Sequence, residues 1–233
     1  MLKKLSPRQI IAALAASMTA GAVHAQENLE IIGVPVDGAM GFQPAVTELA
    51  RDIQRLDGMV NVIIGLIVLF VTALLAIVAF KYNRKANPEP ATFTHHSTLE
   101  VAWTVVPIVI LVFIGAFSLP VLFKQQEIPT ADLTIKTVGY QWYWGYEYPD
   151  HEFAFDSYML QRSELEDFGY SQDEYRLATD TAMVVPTGKT IVVQVTGGDV
   201  IHSWAMPAFG VKQDAVPGRL AELWFEVDEG NEG

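Results

Sequence analysis

Cysteine is absent from the 233 residues. As written, the chain therefore has no disulfide, no thiolate metal site and no thiol nucleophile. Charge is sparse as well: Asp, Glu, Lys and Arg make up 18% of the sequence, against roughly 25% in an ordinary soluble protein. Two stretches, from about Val60 to Phe80 and from Val101 to Phe123, hold no charge at all. Each has roughly the 20 residues that a helix needs to cross the hydrocarbon of a bilayer. Uninterrupted apolar faces of that length argue against two core helices of a soluble protein, so a transmembrane hairpin is expected over residues 59–123, with 81–100 as its loop.

Basic residues are the scarcer sign, 15 against 27 acidic, for a net charge of -12. Residues 1–123 carry 8 of each and cancel, whereas residues 124–233 carry 7 basic and 19 acidic, a difference of -12. Such a field repels nucleic acid and anionic lipid, and it speeds the approach of a basic partner. The simpler use of the same charge is solubility.

Lys3, Lys4 and Arg8, followed by the apolar IIAALAASMTAGA and then VHA, read as a secretory signal peptide over residues 1–25, cleaved after Ala25; an uncleaved anchor is the alternative. Residues 26–58 are expected to lie as an extended N-terminal segment outside the membrane, with Gly and Pro punctuating its first part. The loop KYNRKANPEPATFTHHSTLE sets Lys81, Arg84 and Lys85 against the first span, which places it in the cytoplasm by the positive-inside rule. The C-terminal domain, residues 124–233, then faces outward, on the same side as the exported N-terminus. Pro107 and Pro120 are expected to bend or close the second helix.

Past Phe123 the pattern changes to short strands: LTIKTVGYQWYWGYEY, FAFDSYM, AMVVPTGKTIVVQV and RLAELWFEV. They predict an all-β sandwich or barrel, interrupted by a polar insertion over 160–180 that reads as a solvated loop with some helix. With a period of two through YQWYWGYEY, Tyr140, Trp142, Trp144, Tyr146 and Tyr148 project to one face, and Gln141, Tyr143, Gly145 and Glu147 to the other. An aromatic core or a membrane-surface belt could use such rings.

In order, two spans, GYQWYWGYEYPD, DVIHSW and KQDAVPGR closely resemble subunit II of the cytochrome c oxidases of haem-copper type, the alphaproteobacterial ones in particular. The resemblance runs from about Gly33 to Asp228. It implies a membrane-anchored Greek-key β-sandwich of the cupredoxin fold. This domain takes electrons from cytochrome c at a dinuclear copper centre, CuA, and passes them to subunit I, where oxygen is reduced to water with proton pumping. The implied partners are subunit I and other oxidase subunits, cytochrome c and membrane lipid, with no nucleic acid.

By the same resemblance Trp142 is the residue through which electrons enter, with Tyr140 standing where His is common. Glu147, Asp150, Asp180 and Asp199 correspond to carboxylates that dock a basic cytochrome, and His202 to the first CuA ligand. Glu100 matches the glutamate at the cytoplasmic mouth of a proton pathway into subunit I. From the residues alone Glu100 is also the end of a helix-capping box that begins at Ser97. KQDAVPGR, Lys212 to Arg219, is expected to mix a turn with contacts to subunit I near its haem propionates, a purely structural turn being the alternative.

The family's remaining CuA ligands come from a Cys-x3-Cys-x3-His-x2-Met run that these residues do not contain, so CuA is not formable by residues 1–233 alone. Those ligands are expected beyond Gly233. The sequence is accordingly expected to be a truncated form, with its sandwich incomplete at the C-terminus. Two other functions fit parts of the pattern: a copper-free subunit II of a quinol oxidase, which the lack of cysteine suits, and a membrane-tethered periplasmic copper-binding or assembly module. Against the first stand His202, the QWYW motif and the acidic field; against the second, the scatter of 7 Met and 5 His.

Overall fold

The computed structural model describes residues 32–33 and 35–231. The predicted signal peptide lies outside the described residues, and so does Gly233, after which the remaining copper ligands are expected. Two long helices come first, α1 over Glu48–Lys81 and α2 over Ser97–Gln126. Both are long and apolar enough to cross a membrane, and the apolar part of neither is buried within the chain. Outward side chains such as Phe70, Leu75 and Trp103 need lipid or another protein around them.

Helix α1 starts at Glu48, well before residue 59, so the end of the segment expected to be extended is helical. Its start is fixed by Thr47, whose hydroxyl accepts from the Ala50 amide at 3.0 Å and donates to the Phe209 carbonyl at 2.8 Å. One buried side chain thus caps a helix and ties it to the β-domain. Helix α2 runs through Pro107 and Pro120 to Gln126. Neither proline ends it, although each leaves the carbonyl four residues earlier without its usual intrahelical donor.

Among the described residues the β-domain has seven strands: β1 Leu133–Tyr140, β2 Tyr143–Tyr148, β3 Phe153–Tyr158, β4 Thr190–Gly197, β5 His202–Met206, β6 Val211–Ala215 and β7 Ala221–Glu226. Five form a sheet in the order β3-β2-β1-β4-β7, in which β1 and β4 are parallel and the other pairs antiparallel. The β5–β6 hairpin makes the second layer. Its Trp204 and the adjoining Phe209 pack on Phe225 of β7, with ring centroids 6.4 Å and 4.6 Å apart. Phe225, Ile135, Ile191, Val193 and Val195 are fully buried between the layers. Burying each such side chain contributes about 1.5–3 kcal/mol before the entropy of ordering it is counted. The expected two-layer β-sandwich after a helical hairpin is what the chain forms.

The long strand read from LTIKTVGYQWYWGYEY is two strands. A tight turn at Gln141–Trp142 folds the chain back, so that Tyr140 faces Tyr143 across the β1–β2 ladder. The single-faced aromatic row is therefore corrected. Trp144, Tyr146 and Tyr148 turn toward the core, Tyr140 and Tyr143 lie together on the other face, and Trp142 stands at the tip. Helix α1 docks on the second layer: Gly210, at φ +72°, lies so close to Ala50 that a Cβ there would fall 2.7 Å from its Cα. Arg51 pairs with Asp228, and Lys124 reaches Glu48 and Asp52, both at 2.7 Å.

The insertion at 160–180 closes on a small core of its own, Leu160, Leu165 and Ala178 with Tyr170 and Tyr175 against them. Two short 3-10 turns, Glu166–Phe168 and Gln172–Glu174, supply its helical character.

Candidate functional site

Trp142 projects from the β1–β2 turn with 85% of its surface exposed. An apolar ring of that size on a turn tip is not used for folding. The Gln141–Trp142 peptide is cis. Beside the turn runs the loop before β5, and Asp199 on that loop joins the two. Its Oδ2 accepts from the Gln141 amide at 2.8 Å, while its Oδ1 accepts from the Val200 amide at 2.6 Å and bonds His202 Nε2 at 2.7 Å. The bond to His202, then the Val200 amide, hold the Asp199 carboxyl down at about 2, with a further pull from the Gln141 amide.

Two glycines make room for these contacts. A Cβ on Gly139 would lie 2.8 Å from His202 Cγ, and one on Gly198 would lie 2.2 Å from Tyr140 Cε1. The His202 imidazole therefore packs directly on the β1 backbone, with the Trp144 ring edge-on at 6.0 Å. Tyr140 stacks on Tyr143 at 4.8 Å and 12°, and Tyr143 stacks on Tyr158 at 4.6 Å and 26°. A concavity of about 510 Å³ opens beside this cluster, lined in part by Trp142, Trp144, Tyr146, Met183, His202 and Met206.

The four predicted docking carboxylates do not form one patch. Asp199 lies at the Trp142 turn, and Asp180 accepts from the amide of Tyr158, the outer ring of the stack, at 2.8 Å. Glu147 is five residues along β2 from the tip, about 16 Å by strand rise. Both its oxygens are held by Lys136 Nζ, at 2.9 and 3.0 Å. Asp150 is farther still, accepting from the Thr134 amide at the start of β1 at 3.4 Å.

Sequence reasoning missed Asp156, which sits on the rung opposite Gly145 with its carboxylate 3.4 Å from the Tyr158 hydroxyl. It also missed Tyr158 and the two glycines. The doublet Gly197-Gly198 before Asp199 is the signal that pointed to a close backbone approach.

Glu100 stands at the first turn of α2, where its Oε1 accepts from the His96 amide at 3.2 Å. The cap opposite it is the His96 ring, whose Nδ1 accepts from the Leu99 amide at 3.4 Å, and not the Ser97 hydroxyl. The capping box thus begins one residue earlier than its sequence pattern. In KQDAVPGR, Lys212 approaches Asp214 at 3.7 Å and the Arg219 guanidinium donates to the Asp214 carbonyl.

The donor set does not fit a dinuclear copper centre. His202 offers one imidazole, the sequence up to Gly233 has no thiolate, and among the described residues no three His, Cys, Asp or Glu groups come together around a metal position.

Comparison with known proteins accounts for both halves of the chain. Residues 133–232 match the family described as cytochrome c oxidase subunit II, periplasmic domain, and residues 35–121 match cytochrome c oxidase subunit II, transmembrane domain. Cytochrome c oxidase subunit 2 of Cereibacter sphaeroides is 59% identical over 217 residues, spanning 87% of this chain and 72% of its own length. A probable cytochrome c oxidase subunit 2 of Rickettsia bellii (strain RML369-C) is 44% identical over 195 residues, spanning 83% and 71%. The crystal structure of the periplasmic domain of subunit II of cytochrome oxidase of Bradyrhizobium japonicum is 54% identical, covers 44% of this chain and 69% of that one, and superposes with a TM-score of 0.38. With two apolar helices and a β-sandwich in the matching order, the chain belongs to the cytochrome c oxidase subunit II family, whose members are parts of an oxidoreductase complex.

Proposed function

We propose that the β-domain receives electrons from a basic cytochrome c at Trp142 and serves the oxygen-reducing subunit of its oxidase. The observation that carries this is the exposed indole on a turn whose Gln141 amide is joined to a half-buried imidazole through two hydrogen bonds of one carboxylate. An aromatic π-system at the surface gives a close contact with a partner's redox centre. The Gln141–Asp199–His202 link then fixes where that contact lies relative to the interior. The quinol-fed alternative finds no support, since the matching relatives are cytochrome c oxidase subunits.

His202 is proposed as a copper ligand through the ring nitrogen that Asp199 leaves free. No other ligand comes from the described residues, and what Asp199 does here is hold the tautomer and plane of the ring. Glu100 is proposed as a proton-collecting group on the cytoplasmic side, with Lys81, Arg84 and Lys85 giving that side its positive bias. The sandwich accordingly lies on the periplasmic side of the inner membrane.

The test is Trp142→Phe in the assembled oxidase. Reduction by cytochrome c, followed by stopped flow, should slow at least a hundredfold while the thermal melting of the complex is unchanged, because an exposed side chain carries little of the fold. Wild-type reduction rates would refute the assignment.

A further inference from the structure

An indole that is 85% exposed has almost no packing of its own. Its place is set by its neighbours in the turn, and these are tied at three points to the loop that leads into His202. The Gly198 amide donates to the Gly139 carbonyl at 2.9 Å, the Gln141 amide donates to Asp199, and the Tyr140 ring lies against Gly198. The third contact exists only because Gly198 has no side chain.

The opposite side of the turn is held by rings. Tyr140 and Tyr143 are the residues that close the hairpin on either side of Gln141–Trp142, and they stack nearly parallel. Tyr158, from β3, backs Tyr143 as a third ring. Stacked aromatic pairs across a ladder stabilise it beyond the area they bury. Such a column does little for a core, because Tyr143 and Tyr158 lie on the sheet's outer face. What it does is stop the turn from pivoting about its two strand ends.

We propose that Tyr140, Tyr143 and Tyr158, seated against Gly198, are positioning residues that hold Trp142 at a fixed place relative to His202. This rests on the assignment of Trp142 as the residue that receives the electron. The stack acts through the turn that it flanks.

The experiment compares Tyr158→Ala, Tyr158→Phe, Gly198→Ala and Trp142→Phe in the assembled oxidase, with kcat and KM for reduced cytochrome c and thermal melting measured for each. Loss of the outer ring in Tyr158→Ala, or displacement of Tyr140 by the new methyl in Gly198→Ala, should lower kcat on the order of tenfold, as expected for a misplaced contact. KM should stay within about twofold, because docking charge is untouched. Tyr158→Phe, which keeps the ring, should restore the rate.

Wild-type kcat in both Tyr158→Ala and Gly198→Ala, with Trp142→Phe slow, overturns the positioning role and leaves Trp142 standing. A fall in kcat that Tyr158→Phe shares with Tyr158→Ala also overturns it, since the hydroxyl and not the stack would then be at work. Wild-type rates in Trp142→Phe remove the assignment of Trp142 and this proposal with it. If Tyr158→Ala melts early, Gly198→Ala decides alone.

Discussion

Tyr146 and Tyr148 turn inward from β2, and burial raises both phenols above their ordinary value of 10.0. Trp204 Nε1 approaches the Tyr146 hydroxyl at 3.4 Å, and Tyr148 donates to the Val184 carbonyl at 2.8 Å while accepting from the Val184 amide at 3.0 Å. A neutral phenol that resists ionisation when folded gives a stability that is whole below the unfolded value near 10 and is lost as pH rises through the folded value. Tyr146→Phe should cost about 0.5–1.5 kcal/mol at neutral pH, the worth of one hydrogen bond. Between about pH 9 and pH 11 its melting temperature should fall less steeply than the parent's. Equal slopes in a pH series of thermal melts would show that Tyr146 ionises as freely folded as unfolded. The residue scale also separates carboxylates that share a sign. Glu147 is spent on Lys136, whereas Asp199 divides its two oxygens between the Trp142 turn and the His202 ring.

Among the elements, the start of α2 carries two roles on one side chain. Glu100 satisfies the His96 amide as a cap and, in the proposed function, also collects protons. Glu100→Gln keeps an acceptor for the amide and loses the ionisable group, while Glu100→Ala loses both. Proton uptake linked to reduction should slow in both variants, by roughly tenfold or more on the scale of a lost acid–base group. Only Glu100→Ala should also lower thermal stability, by about 0.5–2 kcal/mol. Normal uptake in Glu100→Gln would leave the cap as the sole role. The β1–β2 hairpin shows a different kind of economy: the turn that reverses the chain is also the turn that presents Trp142.

At the level of the whole molecule, the acidic excess lies entirely in the half that forms the β-domain. Attraction of a basic cytochrome should then be long-ranged and screened by salt. Raising ionic strength from about 0.01 M to about 0.15 M should lower the second-order rate of reduction by cytochrome c roughly tenfold or more. The salt slope should be the same in Trp142→Phe, since that change removes no charge. A rate independent of salt would mean that the negative field serves solubility alone. The domain that carries this field is fastened to the membrane hairpin by Thr47, by the Arg51–Asp228 pair and by Trp224 of β7, whose Nε1 donates to the Lys124 carbonyl at 3.1 Å, so its orientation is set by the first turns of α1 and the last of α2.

The two spans and the β-sandwich were legible because hydrophobic run length and the two-residue strand period are local properties of the chain, and Trp142 and His202 stood out within order-specific motifs. Locally, however, YQWYWGYEY reads as one strand, and only the pairing of Tyr140 with Tyr143 sends Trp142 to a tip and Trp144 inward. The early start of α1 has a local cause, the Thr47 cap before Glu48, and its tertiary part is the docking on Gly210 and Asp228. The joining of Gln141, Asp199 and His202, the seat of Tyr140 on Gly198 and the backing ring of Tyr158 bring together residues from three separate stretches of the chain. Composition and motif order determined what kind of chain this is. Which carboxylate meets the turn that carries the indole was decided by close packing, where the absence of two Cβ atoms lets two strands and a loop touch.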